Sequence, residues 1–197
     1  MSKAEKTREF IIRKAAPVFN KKGFAGTSMA DLTEATGLTK GSIYGNFENK
    51  DEVALAVYDY NVGLLNQRLD FIRESKSTAI EKLLAMADFH RSEFRHVLTQ
   101  GGCPIMNTAI EANDCHPALR EKASASIKSW RNSIISVIEE GIVHKEIRPA
   151  ANAAKFATAY VALIEGGILL AQTTGDLEML HTCIDRIRQI IDTDLKL

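Results

Sequence analysis

The chain has 197 residues, 45% hydrophobic and 25% charged, with 25 Lys/Arg set against 25 Asp/Glu. These are the proportions of an ordinary folded protein, long enough for one large or two small domains with a real core. Three cysteines, Cys103, Cys115 and Cys183, are few and odd in number, which argues against a disulfide framework and fits a reducing compartment.

The opening MSKAEKTREF lacks the apolar stretch of a signal peptide. The longest uncharged run of the apolar C-terminal part, GGILLAQTTG, is shorter than the ~20 residues of a membrane span. A cytoplasmic protein with no membrane partner is the expectation. The zero net charge is unevenly spread. Residues 1–50 hold nine Lys/Arg and five Asp/Glu, a balance of +4, and the remainder holds sixteen and twenty. The positive end can face a polyanion while the rest does not.

Helical periodicity runs through the chain, and neither strand patterns nor internal repeats compete with it. In residues 5–22, Ile11, Ala15 and Phe19 fall four apart, with Gly23 placed to close the helix and Pro17 predicting a kink. Ser28 is placed to cap a short helix to about 35, with Asp31 at its third position and Gly37 at its end. Thr39 can cap a second short helix to about 45. Asn49 and Glu52 form a capping box for a long helix striped by Val53, Val57, Tyr60 and Leu64.

A break at ESKST precedes another box, Thr78 with Glu81, and a helix carrying Leu83, Leu84, Ala87 and Phe94. TQGGCPIMN is a loop leading to a short helix near 105–113. Pro117 opens a long helix with Leu119, Ala123, Ile127, Trp130, Ile134 and Ile138 in register. Two more helices follow, at about 150–174 and 177–195. With 104–113 helical, about ten residues at ~1.5 Å each hold Cys103 and Cys115 beyond the ~7 Å reach of a disulfide.

A short helix, a tight turn at Gly37 and a second short helix make the helix-turn-helix plan, whose second helix enters the DNA major groove. That explains GLTKGSIYGNFENK, a polar, poorly helical stretch inside a helical unit. Hydroxyls and lysines reach phosphates and base edges, and Gly41 lets the backbone approach the duplex.

The stretch KKGFAGTSMADLTEATGLTKGSIYGNFENKDEV (21–53) resembles the signature of TetR-family transcriptional repressors, continuously over about residues 5–55. The resemblance rests on Lys22–Gly23–Phe24, Thr27–Ser28, Ala35, Gly37, Leu38, Lys40–Gly41–Ser42, Tyr44, Phe47, Lys50 and Glu52. Gly45 and Asn46 depart from the larger or aromatic residues often found there.

The resemblance implies an all-α fold of about nine helices. A helix-turn-helix DNA-binding domain would cover 1–48 with its motif at about 28–47. A connecting helix would follow at 49–73, then a ligand-binding and dimerisation domain at 74–197. By position, Thr27, Ser28, Tyr44 and Lys50 would hold phosphates, and Thr39, Lys40, Gly41 and Ser42 would face bases and backbone in the groove. Ala30, Leu32, Leu38, Ile43 and Phe47 would pack the three-helix core.

The implied partners are a double-stranded DNA operator with an inverted repeat, a small-molecule inducer and a second copy of the chain. The copy would dock through the last two helices, with Ala159, Ala162, Gly166 and Gly167 allowing close approach. Candidate ligand-binding residues are Met86, Phe89, Cys103, Met106, Trp130 and Tyr160, each also readable as core. Some relatives sense oxidants or electrophiles through a cysteine, a role Cys103 could take at a helix start; a packed, inert thiol is the alternative.

The enzyme and adaptor readings have less to rest on. The chain shows no nucleophile elbow, phosphate-cradling loop or paired-acid motif, and His90 and His96 are six apart rather than at metal-pair spacing. No catalytic residue, metal or cofactor is expected.

Overall fold

The computed structural model describes residues 2–113 and 115–197, and of Phe94 and His96 only the backbone. The place of Phe94 in its helical stripe and the comparison of His90 with His96 therefore lie outside the described side chains. Among the described residues the architecture is all-α. The elements are α1 (Lys3–Gly26), α2 (Met29–Thr36), α3 (Lys40–Tyr44), α4 (Lys50–Glu74), α5 (Ala79–Thr99), α6 (Pro104–Ala112), α7 (Pro117–Val143), α8 (Ala153–Thr174) and α9 (Glu178–Ile190). A π-helical turn at Ile191–Leu195 replaces the last turn of the helix expected to reach 195.

The chain folds as two compact units, Met1–Leu65 with Gln100–Ser124, and Asn66–Thr99 with Ala125–Leu197. In the first, Ser2 and Glu5 form a reciprocal capping box that starts α1, which buries Ile11, Ala15, Ala16 and Phe19. Pro17 lies inside α1, and the helical backbone is interrupted at Gly23 (φ 72°, ψ 178°), the residue expected to close the helix. That backbone conformation is open to glycine and strained for other residues. A Cβ there would also collide with the Glu111 carboxylate.

The α4 stripe departs from the sequence expectation. Val53, Ala54, Val57, Tyr58, Val62 and Leu69 are buried, whereas Tyr60 is half-buried and Leu64 exposed. Spaced four, three and four, Val53, Val57, Tyr60 and Leu64 do share one stripe, but the buried face is centred further round the helix, on Ala54 and Tyr58, which leaves Tyr60 and Leu64 at its edge. The Asn49 side chain caps α4 as expected, accepting from Glu52 N at 2.9 Å. The Glu52 carboxylate, however, accepts from Glu48 N rather than from Asn49.

In the second unit Thr78 and Glu81 cap each other's backbone N–H at 3.1 and 3.2 Å. The core is drawn from α5 (Leu83, Met86, Ala87, Phe89), α7 (Trp130, Ile134, Val137, Ile138), α8 (Phe156, Ala157, Tyr160, Ile164, Ile168) and α9 (Leu180, Ile184, Ile187). Asn152 caps α8 and Gly175 ends it in the left-handed region (φ 76°). Gly167 serves this chain's own packing. A Cβ there would lie 2.8 Å from Leu180 and 3.1 Å from Cys183, so α8 and α9 approach closely at that point. Gly166 has nothing within 4 Å.

By length and composition α8 is apolar enough to cross a membrane, with a mean hydropathy of 1.5, although its Phe156, Tyr160, Ile164 and Ile168 are core residues of the unit.

Candidate nucleic-acid interface

The headpiece is built from short-range capping. Ser28 Oγ accepts from Asp31 N and donates to the Asp31 carboxylate, which also takes Ser28 N at 2.8 Å. The Lys22 ammonium at 2.6 Å, together with the Ser28 amide and hydroxyl, holds the Asp31 carboxyl well below the usual carboxylate range. Gly37 closes α2 in the left-handed region (φ 68°), and the Thr36 hydroxyl accepts from Leu38 N. Thr39 Oγ1 then accepts from Ser42 N to start α3. Each turn is thus fixed by a side chain within four residues, as a helix N-terminus with free N–H groups requires.

Leu32, Ile43 and Phe47 are buried as the three-helix core requires. Leu38 is half-buried and Ala30 exposed, so Ala30 leaves the core set: it sits at the second position of α2 on the solvent side. The Arg8 guanidinium covers the Phe47 ring at 4.0 Å and pairs with Glu52 at 2.9 Å, tying α1 to the start of α4.

Of the eight candidate DNA-binding residues, Ser28, Thr39, Lys40, Gly41 and Tyr44 are exposed and Ser42 is half-buried. Lys40 Nζ lies 5.7 Å from the centre of the Tyr44 ring, so a cation and a phenol share one surface of α3.

Thr27 and Lys50 sit differently. Thr27 is buried, and its hydroxyl donates to Gly23 O at 2.6 Å. Lys50 Nζ donates to Phe24 O at 2.8 Å and Thr27 O at 3.0 Å, 4.2 Å above the Phe24 ring. Both residues bind the last turn of α1 beyond its break at Gly23, and two of the three Lys50 donors are already taken.

The same segment is held from its other side by α6. The Glu111 carboxylate accepts from Phe24 N at 2.6 Å and Ala25 N at 2.7 Å, the donors released where α1 breaks at Gly23. Asn20 Nδ2 donates to Gln100 O and Gly102 O, while Asn107 Nδ2 donates to Asn20 O and Gly101 O. The His116 ring stands edge-on to Phe24 at 4.6 Å and accepts from Leu119 N through Nδ1, capping α7. Phe19, Phe24, Val57, Glu111 and His116 line a cavity of about 40 Å³ within this unit. Sequence reasoning missed Asn20, Asn107 and Glu111. Each bonds a partner eighty or more residues away, and no local pattern marks them.

The six ligand candidates divide between the units. Cys103 is buried and Met106 half-buried in the first, where Cys103 occupies the cap position of α6 without a side-chain cap bond. Met86, Phe89, Trp130 and Tyr160 are buried together in the second.

A three-helix unit whose tight left-handed turn delivers a short polar helix to solvent defines a DNA-binding protein of the helix-turn-helix class. Residues 11–57 match the family model described as bacterial regulatory proteins, tetR family, and residues 79–189 match the tetracyclin repressor-like C-terminal domain. A TetR-family transcriptional regulator from Cytophaga hutchinsonii is 43% identical and superposes with a TM-score of 0.95, over 100% of this chain and 98% of the other. A TetR regulator from Chloroflexus aurantiacus J-10-fl is 36% identical, also with a TM-score of 0.95, over all of both chains. An uncharacterized HTH-type transcriptional regulator from Lactococcus lactis subsp. lactis, in the lacX 3'region, is 28% identical over 92% of this chain and 91% of its own. The chain belongs to the TetR family of transcriptional regulators.

Proposed function

We propose that the protein is a repressor that binds an inverted-repeat operator as a homodimer and leaves it when a small molecule occupies the helical body. The observation that carries this reading is the polar face of α3, where Thr39, Lys40, Gly41 and Tyr44 reach solvent from a turn fixed by local caps. Ser28 and Tyr44 contact phosphates, while Thr39, Lys40, Gly41 and Ser42 face bases and backbone in the groove. Thr27 and Lys50 act one step back, holding the frame that aims α3.

Dimerisation through α8 and α9 is supported by the unburied side of α8. Leu169 and Leu170 are 45% and 47% exposed, and Gly166 is open to a close neighbour. An apolar helix face left in water is an association surface, and palindromic operators match two-fold dimers.

In this reading 1–48 is the DNA-binding domain, 49–73 the connecting helix and 74–197 the effector and dimer domain. The DNA-bound dimer holds its two α3 helices one duplex turn apart, ~34–36 Å. Effector binding shifts α4 and changes that spacing, provided the effector prefers the spread state. Glu111 offers α6 a second grip on the headpiece, through the amides of Phe24 and Ala25.

The test is selection of genomic fragments by the purified full-length protein, followed by anisotropy titration on the recovered site. An enriched inverted repeat bound in a salt-dependent way is the expected result. No enrichment at low salt by a folded dimer overturns it.

A further inference from the structure

The second unit holds a chain of five aromatic and imidazole rings drawn from three helices. Phe89 and His90 come from α5, Trp130 from α7, and Phe156 and Tyr160 from α8. Successive ring centres lie 5.3 Å apart (Phe89–His90), 5.7 Å (His90–Trp130), 6.3 Å (Trp130–Tyr160) and 6.0 Å (Tyr160–Phe156). All five rings are buried. His90 Nε2, Trp130 Nε1 and Tyr160 Oη nevertheless have no hydrogen-bond partner. Native cores pair nearly all such atoms, because an unpaired buried polar group is a net penalty that a phenylalanine of similar shape would avoid. Three of them along one run of rings point to a partner from outside the chain.

The chemistry of that partner follows from the three atoms. An indole N–H donates only, a phenol donates and accepts, and an imidazole Nε2 does one or the other according to its tautomer. Burial lowers the His90 pKa to about 4, so the ring is neutral at neutral pH. Burial and the Asp88 carboxylate push the Tyr160 phenol up, so it keeps its proton.

The Asp88 carboxylate is paired with Arg188, and the Arg91 guanidinium with Asp185 through one terminal nitrogen, its Nε staying unpaired. A carboxylate placed here would compete with Asp185 for a guanidinium whose charge is already matched. An ammonium would bring no acceptor to the Trp130 N–H.

Building on the proposed effector-binding role, we propose that this ring cluster takes a neutral, flat ring compound whose oxygen acceptors receive hydrogen bonds from Trp130 Nε1 and Tyr160 Oη. The rings already stand at stacking distance, so the compound enters by parting α5, α7 and α8. Occupancy therefore selects a conformation other than the unliganded one, which is the requirement for a ligand to shift an equilibrium.

Three probes share one ring system and differ in charge: 2-acetonaphthone, 2-naphthoate and trimethyl(2-naphthyl)ammonium. Each is titrated into the full-length protein by calorimetry. Trp130, the single tryptophan of the chain, reports contact through its emission. The ketone is expected to bind about tenfold tighter than either ion, the scale of one satisfied buried hydrogen bond. It is expected to quench Trp130 and to lose about tenfold in affinity in Tyr160→Phe, a variant whose thermal midpoint does not fall.

Three results would overturn the proposal: either ion binding as well as the ketone, no ketone binding to folded protein, or full ketone affinity in both Tyr160→Phe and Trp130→Phe. Ketone binding that leaves operator affinity unchanged supports the ligand class and removes the inducer role instead.

Discussion

Between Gly23 and Lys50 the polar atoms around the headpiece turns find partners inside the protein. The amides of Phe24 and Ala25 go to Glu111, the carbonyls of Phe24 and Thr27 to Lys50, and the Ser28 and Thr39 hydroxyls to the helix starts they cap. Between Phe89 and Tyr160 the opposite holds, and three buried ring polar atoms have no partner within the protein. The contrast separates two ways of meeting a partner. A surface that reads DNA gains from rigidity, because the donors it offers must hold their register on the duplex. A core that receives a small molecule gains from hydrogen-bonding capacity held in reserve, at a cost in stability that the ligand offsets.

The largest expected effect tests the reserve side. His90 titrates near 4 when folded and near 6.5 when unfolded, because burial disfavours its charged form. The unfolded chain therefore binds more protons than the folded one between those values, so stability falls as the pH drops from 6.5 towards 4. The full loss is roughly 3 kcal/mol by the usual conversion per pKa unit. Urea unfolding across that range should show this slope in the wild type and a flatter one in His90→Phe. Equal slopes would mean that His90 is not held neutral.

Lys50→Met tests the satisfied side. It removes a charge-assisted donor from two carbonyls while keeping the length of the side chain, and is expected to cost about 2 kcal/mol in urea unfolding. Operator binding should weaken through the disturbed α1–α2 turn, with the salt dependence nearly unchanged. A salt slope lowered by about one, without loss of stability, would make Lys50 a phosphate ligand instead.

These two residues also show what the sequence made legible. The caps at Ser28, Thr39, Asn49 and Thr78 and the turn at Gly37 were readable because each is a contract among residues at most four apart. The Glu111 clasp joins positions 86 and 87 residues apart, and no periodicity announces it. Resemblance by position assigned Lys50 and Thr27 to phosphates. It did not reveal that their donors turn inward, which depends on where Phe24 and Gly23 fold back. The α4 stripe failed at Leu64 because the core face is centred on Ala54 and Tyr58, round the helix from the stripe that the apolar spacing picked out. The pairing state of Trp130 and Tyr160 is a property of three helices packed together, and no single segment encodes it.

A smaller effect, of opposite sign, comes from Tyr160→Phe. Removing a buried hydroxyl that has no partner should stabilise the protein by about 1 kcal/mol, since the ring stays and only the unmet polar atom goes. Calorimetric unfolding at neutral pH measures it. A destabilised variant would show that the hydroxyl is satisfied in solution, and the reserve side of the contrast would lose one of its three atoms.

Lys40→Ala should move stability least, by less than about 0.5 kcal/mol, because the residue is exposed and its nearest aromatic neighbour is a 5.7 Å contact at the surface. Its effect belongs to DNA. Anisotropy on the selected operator should show binding weakened about tenfold, with unfolding curves overlying the wild type. The form of the loss assigns the contact. A uniform decrease on operator and scrambled duplex, with a salt slope smaller by about one, places the ammonium on a phosphate. A decrease confined to the operator, with the slope kept, places it on a base edge in the groove. Unchanged binding with α3 intact would mean that the surface shared by Lys40 and Tyr44 faces away from the duplex, and the side of α3 that carries Ser42 would have to meet the bases instead.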